Sequence, residues 1–201
     1  MENKIKLEKT NKTHLIGNGN SAKYFVDDGC MSIVAFNIPQ HGHRFTLLSI
    51  IDQQPVVAMK NTGWRTNCPI LCSEKTYKTA QAHNVTGTWC PIYGEQYRSN
   101  SAHWAAREML RVTVNEIHLY GMDSFWSDDL TSQMDSIVPR KQRPDLTKNW
   151  YPYWQEIFQQ GNHLTWYIHT PLNVKIRVSA PNVKQITHEP RHSTDILAAK
   201  A

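Results

Sequence analysis

The chain has 201 residues, 40% of them hydrophobic, and a formal charge of +5 at pH 7. That length suits one domain, with or without a tail, and a core that needs no disulfide staples. No apolar run approaches the roughly eighteen residues a membrane span requires, and a mild positive charge suits phosphate-bearing ligands without demanding nucleic acid. Residues 1–12 are polar and charged and lack the apolar centre of a signal peptide, so they read as a flexible lead-in and the expected compartment is the cytoplasm.

The first expected strand is Thr13-His14-Leu15-Ile16-Gly17, an apolar run that stops at glycine. Asn20 or Ser21 then caps a helix expected to reach Asp27, with Ala22, Phe25 and Val26 on one face and Gly29 as its stop. Residues 31–36 form a second strand ending at Asn37. Leu47–Ile51 and Pro55–Met59 supply one or two more, and Pro69–Cys72 another, followed by a helix over 73–80. Residues 83–98 show no periodicity and read as a long loop. Ser99–Val112 carries Ala102, Ala105, Ala106, Met109 and Leu110 at helical spacing, and Glu116–Gly121 is the next strand. Residues 127–149 suggest a lid. Trp150, Tyr153, Trp154, Ile157 and Phe158 make a helical face stopped by Gly161, and 163–169 reads as a last strand. Strands alternating with helices imply a Rossmann-like, doubly wound α/β domain over 13–170, a mostly parallel sheet with helices on both faces, followed by a C-terminal extension over 171–201.

The sharpest chemical feature is Gly17-Asn18-Gly19-Asn20-Ser21, placed where the first strand runs into a helix. Glycines there let backbone N–H groups approach a ligand closely, and a helix N-terminus favours phosphate. An ordinary tight turn has the same composition. Ala22 stands where the dinucleotide fingerprint has its third glycine, and Asn37 rather than an acidic residue ends the second strand, which argues against a nicotinamide dehydrogenase. Ser99 and Ser101 begin the next long helix, where their hydroxyls hold a second phosphate or where Ser99, Asn100 or Ser101 simply caps it. Asp123, just past a strand end, is placed to orient a hydroxyl or act as a base, with Asp128 and Asp129 nearby. The four cysteines, Cys30, Cys68, Cys72 and Cys90, read as free thiols; Cys68, Cys72, His83 and Cys90 lack the tight spacing of a zinc knuckle. No metal ligand set is assigned.

Taken in order, Gly17–Ser21, Ile33–Asn37, the helix from Ser99 to Leu110 and Ile117–Asp123 resemble the bacterial sialyltransferase family of the Campylobacter type, and the related proteins with a 6-hydroxymethylpterin diphosphokinase-like domain. The likeness covers about residues 13–170. It implies that Gly17, Asn18, Gly19, Ser21, Asn37 and Ser101 grip the nucleotide of an activated sugar and that Asp123 faces a sugar. The chain departs from that pattern at Phe125, which stands in place of a tyrosine, at Asn20 in place of a proline, and over 140–149, where the family's histidine is replaced by Arg140, Lys141 and Arg143. A donor other than sialic acid follows from those departures.

The expected function is glycosyl transfer from a nucleotide-activated sugar, with no tightly bound cofactor and no stated metal need. Asp123 is the first candidate base, with Asp145 and Asp128 behind it. Arg98, Arg107, Arg140, Lys141, Arg143 and Lys148 are candidates for phosphate contacts, and Trp126, Trp150 and Trp154 for stacking. A glycan hydroxyl and a hydroxymethylated DNA base are both compatible acceptors. The alternatives are a non-catalytic nucleotide-binding module, or a phosphoryl transferase using Mg²⁺ at Asp123, Asp128 and Asp129.

Overall fold

The computed structural model describes residues 7–35, 45–92, 100–128, 130 and 146–190. Eight strands form one sheet: β1 (Thr10–Ile16), β2 (Met31–Ala35), β3 (Leu47–Ile50), β4 (Ile70–Ser73), β5 (Trp89–Ile92), β6 (Thr113–Tyr120), β7 (Thr165–Pro171) and β8 (Val183–His188). Their order across the sheet is β5-β4-β3-β2-β1-β6-β7-β8, and every pairing is parallel. The fold is therefore the doubly wound α/β architecture that the alternation of elements implies.

Alternation along each strand distributes the core to two sides. Leu15, Ile33, Leu47, Ile117, Leu119, Trp166 and Ile168 face α3 (Ser101–Val112) and α4 (Leu146–Gln160). Ala102, Ala105 and Ala106 let α3 lie close to the strands, while Trp154, Ile157 and Phe158 bring the large apolar surfaces of α4. The opposite face carries Ile16, Leu48, Ile50, Ile70 and Tyr120 against α1 (Gln54–Thr62), α2 (Glu74–Ala82) and a short 3-10 segment, Asn20–Tyr24. Strands buried on both faces read as near-continuous apolar runs, and β3 and β4 come close to that, whereas β1 and β6 are continuously buried only over their last four residues.

Several boundaries differ from the expectation. Pro55–Met59 is helix rather than strand: Pro55 sits in the first turn of α1, where its missing N–H and preset φ fit, and Val56 and Met59 turn to the core. The helix after β1 is only the five-residue 3-10 segment, with Phe25 already extended. Inside the expected loop over 83–98, Trp89–Ile92 is the edge strand β5, a position that tolerates Pro91. Inside the expected C-terminal extension, Val183–His188 adds β8 at the other edge. Asn182 anchors it, its amide donating to the carbonyls of Phe158 and Gly161 at the end of α4, at 3.1 and 2.9 Å.

Candidate functional site

Strand order reverses between β1 and β6, because the chain winds outward from β1 in one direction through β5 and then returns to β6 on its other side. Ligands of open α/β sheets bind outside the carboxyl ends of the strands at such a reversal. Two loops meet there: Gly17–Ser21 after β1 and Gly121–Phe125 after β6.

The loops are zipped together by the backbone. Gly17 N–H donates to the Tyr120 carbonyl at 2.7 Å, and Gly19 N–H to the Gly121 carbonyl at 2.9 Å. Gly121 N–H donates to Ser21 Oγ at 2.9 Å, and that hydroxyl donates onward to Asp123 Oδ1 at 2.5 Å. Asp123 also accepts the N–H groups of Asn20, at 2.6 Å to Oδ2, and of Ser21, at 3.3 Å to Oδ1. The glycines are explained by these contacts. A Cβ on Gly17 would lie 2.5 Å from the Gly121 carbonyl oxygen, and one on Gly19 would lie 2.5 Å from Asp123 Cγ. Their close approach is to the neighbouring loop rather than to an open phosphate cradle. The carboxylate of Asp123 occupies the N–H groups that a bound anion would otherwise take, and the 3-10 segment is too short to offer a helix dipole of its own.

Burial raises the pKa of Asp123 above the ordinary carboxylate range, against the lowering pull of the donors from Ser21 and Asn20. Its geometry suits a carboxylate that accepts a proton or a hydroxyl's hydrogen bond through its remaining lone pairs. Asn18, between the two glycines, is 9% exposed, and among the described residues its side-chain nitrogen has no hydrogen-bond partner. A buried amide donor without a partner is costly, and a ligand oxygen would satisfy it.

Other expected site residues are placed elsewhere. Ser101 is 2% exposed; its hydroxyl accepts the Ile51 N–H at 3.1 Å, and its carbonyl accepts Ser49 Oγ at 2.9 Å. It ties the start of α3 to the end of β3, two strands and roughly 10 Å from the glycine loop. The cap of that helix is Asn100, in a reciprocal box with His103. Asp128 is exposed and pairs with Arg177 at 2.6 Å and Thr147 at 2.8 Å, which holds its pKa below the usual value; it clasps the segment after β7 to the first turn of α4. Trp126 and Trp150 pack against the core cluster, where Trp154 is fully buried. Phe125 is a core residue packed on Trp154 at 5.1 Å between ring centroids. Asn37, Arg98, Ser99, Arg140, Lys141, Arg143 and Asp145 lie outside the described residues, as does Asp129.

One constellation has no counterpart among the expected residues. On the sheet face covered by the 3-10 segment, His118 Nδ1 and His169 Nε2 lie 2.9 Å apart, and His169 Nδ1 and His188 Nε2 2.8 Å apart. The three rings are strung end to end across β6, β7 and β8. Tyr120 stacks on His169 at 4.0 Å and Tyr24 on His188 at 4.5 Å. Burial pushes the pKa of His169 down to about 3 and also lowers that of His118. The available signal was their position inside strands, with His118 two residues from Tyr120 and so on the same face.

Among the described residues, no helix is long and apolar enough to cross a membrane. The chain matches no known protein family, no curated protein and no solved structure.

Proposed function

We propose that the crevice between β1 and β6 binds a nucleotide-activated sugar and that the chain transfers the sugar to a hydroxyl acceptor in the cytoplasm. The observation that carries this reading is the buried, unpartnered amide of Asn18 in the glycine loop, beside Asp123 at the point where strand order reverses. Asn18 supplies a donor for a ligand oxygen, and Asp123, with its raised pKa, is the base for the acceptor hydroxyl. The occupied N–H groups of Asn20 and Ser21 direct ribose or sugar hydroxyls, rather than phosphate, to this end of the site.

A second reading, nucleotide binding without transfer, is favoured by one specific fact. Asp123 already accepts from three donors of the facing loop, which suits a residue that holds the loop rather than one that moves a proton.

Thermal melts with CMP, UDP, GDP, ADP and NAD distinguish these readings when the parent is run beside Asn18→Ala, which leaves the glycine contacts intact. A rise with one nucleotide that is lost in Asn18→Ala is the expected result. Turnover of the matching nucleotide sugar, reduced at least about 100-fold in Asp123→Asn, identifies transfer. A melting shift with no turnover favours the binding module, and no shift with any nucleotide overturns the site.

A further inference from the structure

We propose that His14, Asp28 and Cys30 form a binding site for a divalent cation of the zinc class, with its fourth position open to solvent. The site is separate from the crevice and does not depend on the function proposed for it. His14 lies in the middle of β1, while Asp28 and Cys30 immediately precede β2, at the opposite end of that strand from the switch-point loops. One ligand atom from each of the three lies within 4.8 Å of the other two. Tetrahedral zinc holds nitrogen, oxygen and sulfur ligands at about 2.0–2.3 Å, which places them roughly 3.3–3.8 Å from one another. The set needs a contraction of its widest pair by up to about 1 Å and a slight widening of the His14–Asp28 pair, now hydrogen-bonded at 2.9 Å. Pairing of Met31 with Thr13 holds Cys30 beside β1, so the site is built into the register of the sheet.

The chemistry of the donors selects the ion. Imidazole, carboxylate and thiol together suit zinc, whereas magnesium and calcium take oxygen ligands. The two oxygens of Asp28 are already divided. Oδ1 faces His14 Nε2 at 2.9 Å and the Cys30 N–H at 3.1 Å, and Oδ2 accepts Lys12 Nζ at 2.6 Å. A cation at Oδ1 replaces the His14–Asp28 hydrogen bond and leaves Lys12 in place as the group that orients the carboxylate. Carboxylate and thiolate neutralise the ion's two charges once the Cys30 thiol has released its proton to solvent. Glu116, across β1 on β6, offsets Lys12.

Access comes from the side of Asp28, which is exposed, and Cys30, which is half-buried; His14 forms the floor at 2% exposure. The metal-bound His14 carries its ring proton on Nδ1, which has no hydrogen-bond partner among the described residues; the ring itself packs among those of Phe25, His118 and Tyr120. A missing outer partner of this kind typically lowers metal affinity by about 10–100-fold. The site is thus weaker than a closed four-ligand zinc centre, and it ties the segment before β2 to β1.

The test uses the full chain stripped with EDTA, titrated with Zn²⁺ against a chromophoric chelator and separately with Co²⁺ in an absorption spectrometer. One ion per chain is expected, together with a near-ultraviolet thiolate-to-cobalt band. Cys30→Ser loses the band and binds Zn²⁺ at least about tenfold more weakly, and Asp28→Asn shows a similar loss of affinity. Cys30→Ser should melt like the parent in EDTA, which separates ligation from folding. His188→Gln, at the end of the other histidine row, should bind as the parent does. Absence of the band in the parent overturns the assignment, as does undiminished Zn²⁺ affinity in Cys30→Ser or loss of binding in His188→Gln.

Discussion

At the scale of single residues, the glycines of the two facing loops are not equivalent, and their neighbours say why. Gly121 has φ +65°, and a Cβ there would lie 2.5 Å from the backbone oxygen of Gly17. Left-handed backbone costs an L-residue about 1–2 kcal/mol, and a backbone atom in the way adds overpacking of about 1–3 kcal/mol because it cannot rotate aside. Gly29 has φ +80° with nothing within 4 Å of the same position. Gly121→Ala is therefore expected to destabilise the fold by about 3 kcal/mol and Gly29→Ala by only about 1 kcal/mol. Urea midpoints compared at equal slope measure both; equal losses would mean that the zipped loops do not crowd as described. Gly19 differs again, since the atoms it would meet belong to the Asp123 side chain. Spacing alone marked Gly17 and Gly19 as a close approach, but it did not indicate that the approaching group is the chain's own carboxylate.

At the scale of elements, the helices are legible where an apolar face and a cap agree. In α3, Ala102, Ala105, Ala106 and Met109 fall on the buried side, and Asn100 closes the N-terminus by accepting the His103 N–H at 3.0 Å while His103 Nδ1 accepts the Asn100 N–H at 3.1 Å. Of the three cap candidates in the sequence, Asn100 is the cap, and Ser101 turns inward to Ile51. Asn100→Ala is expected to cost about 1 kcal/mol, with Asn100→Asp retaining most of the stability, as thermal melts would read. If Asn100→Ala melts with the parent, the cap contributes nothing. The elements that composition misread have separate causes. The proline of α1 suggests a break and its valines a strand, yet proline in a first helical turn is compatible with the helix that follows. The edge strand β5 is only four residues long and contains Pro91, and β8 buries none of its six residues fully, so neither stands out as a strand against its surroundings.

At the scale of the whole molecule, buried imidazoles govern the response to acid. Burial pushes His103 and His169 down to about 3 in the fold, whereas an unfolded histidine titrates near 6.5. Above that value both states are neutral and the groups contribute no slope. Below it the unfolded chain binds more protons, so stability falls as pH drops from about 6.5 toward 3, by up to about 1.4 kcal/mol per pH unit for each histidine. Asp123 and Asp52, whose pKa values burial raises, act with the opposite sign and offset part of the loss. Urea denaturation at pH 7.5, 6.0 and 5.0 should therefore show a falling midpoint, with a shallower fall in His169→Gln. A midpoint that holds steady to pH 5.0 would mean that these rings take up protons without cost.

The sequence by itself determined the architecture. Apolar runs spaced by helical segments admit little else than a parallel sheet covered on both sides, and a strand that stops at Gly17-Asn18-Gly19 sets where its carboxyl end opens. It also marked Asp123, because an acidic residue just past a strand end is placed by local geometry. Only the tertiary structure decided what those residues face. Asp123 and the glycine loop are separated by about a hundred residues of chain and become neighbours because β6 inserts beside β1. The same insertion, followed by β7 and β8, aligns His118, His169 and His188, while the return into β2 sets Asp28 and Cys30 against His14. Strand periodicity is a local property that fixes which face a side chain takes, whereas its partner across the sheet depends on strand order, which long-range pairing determines.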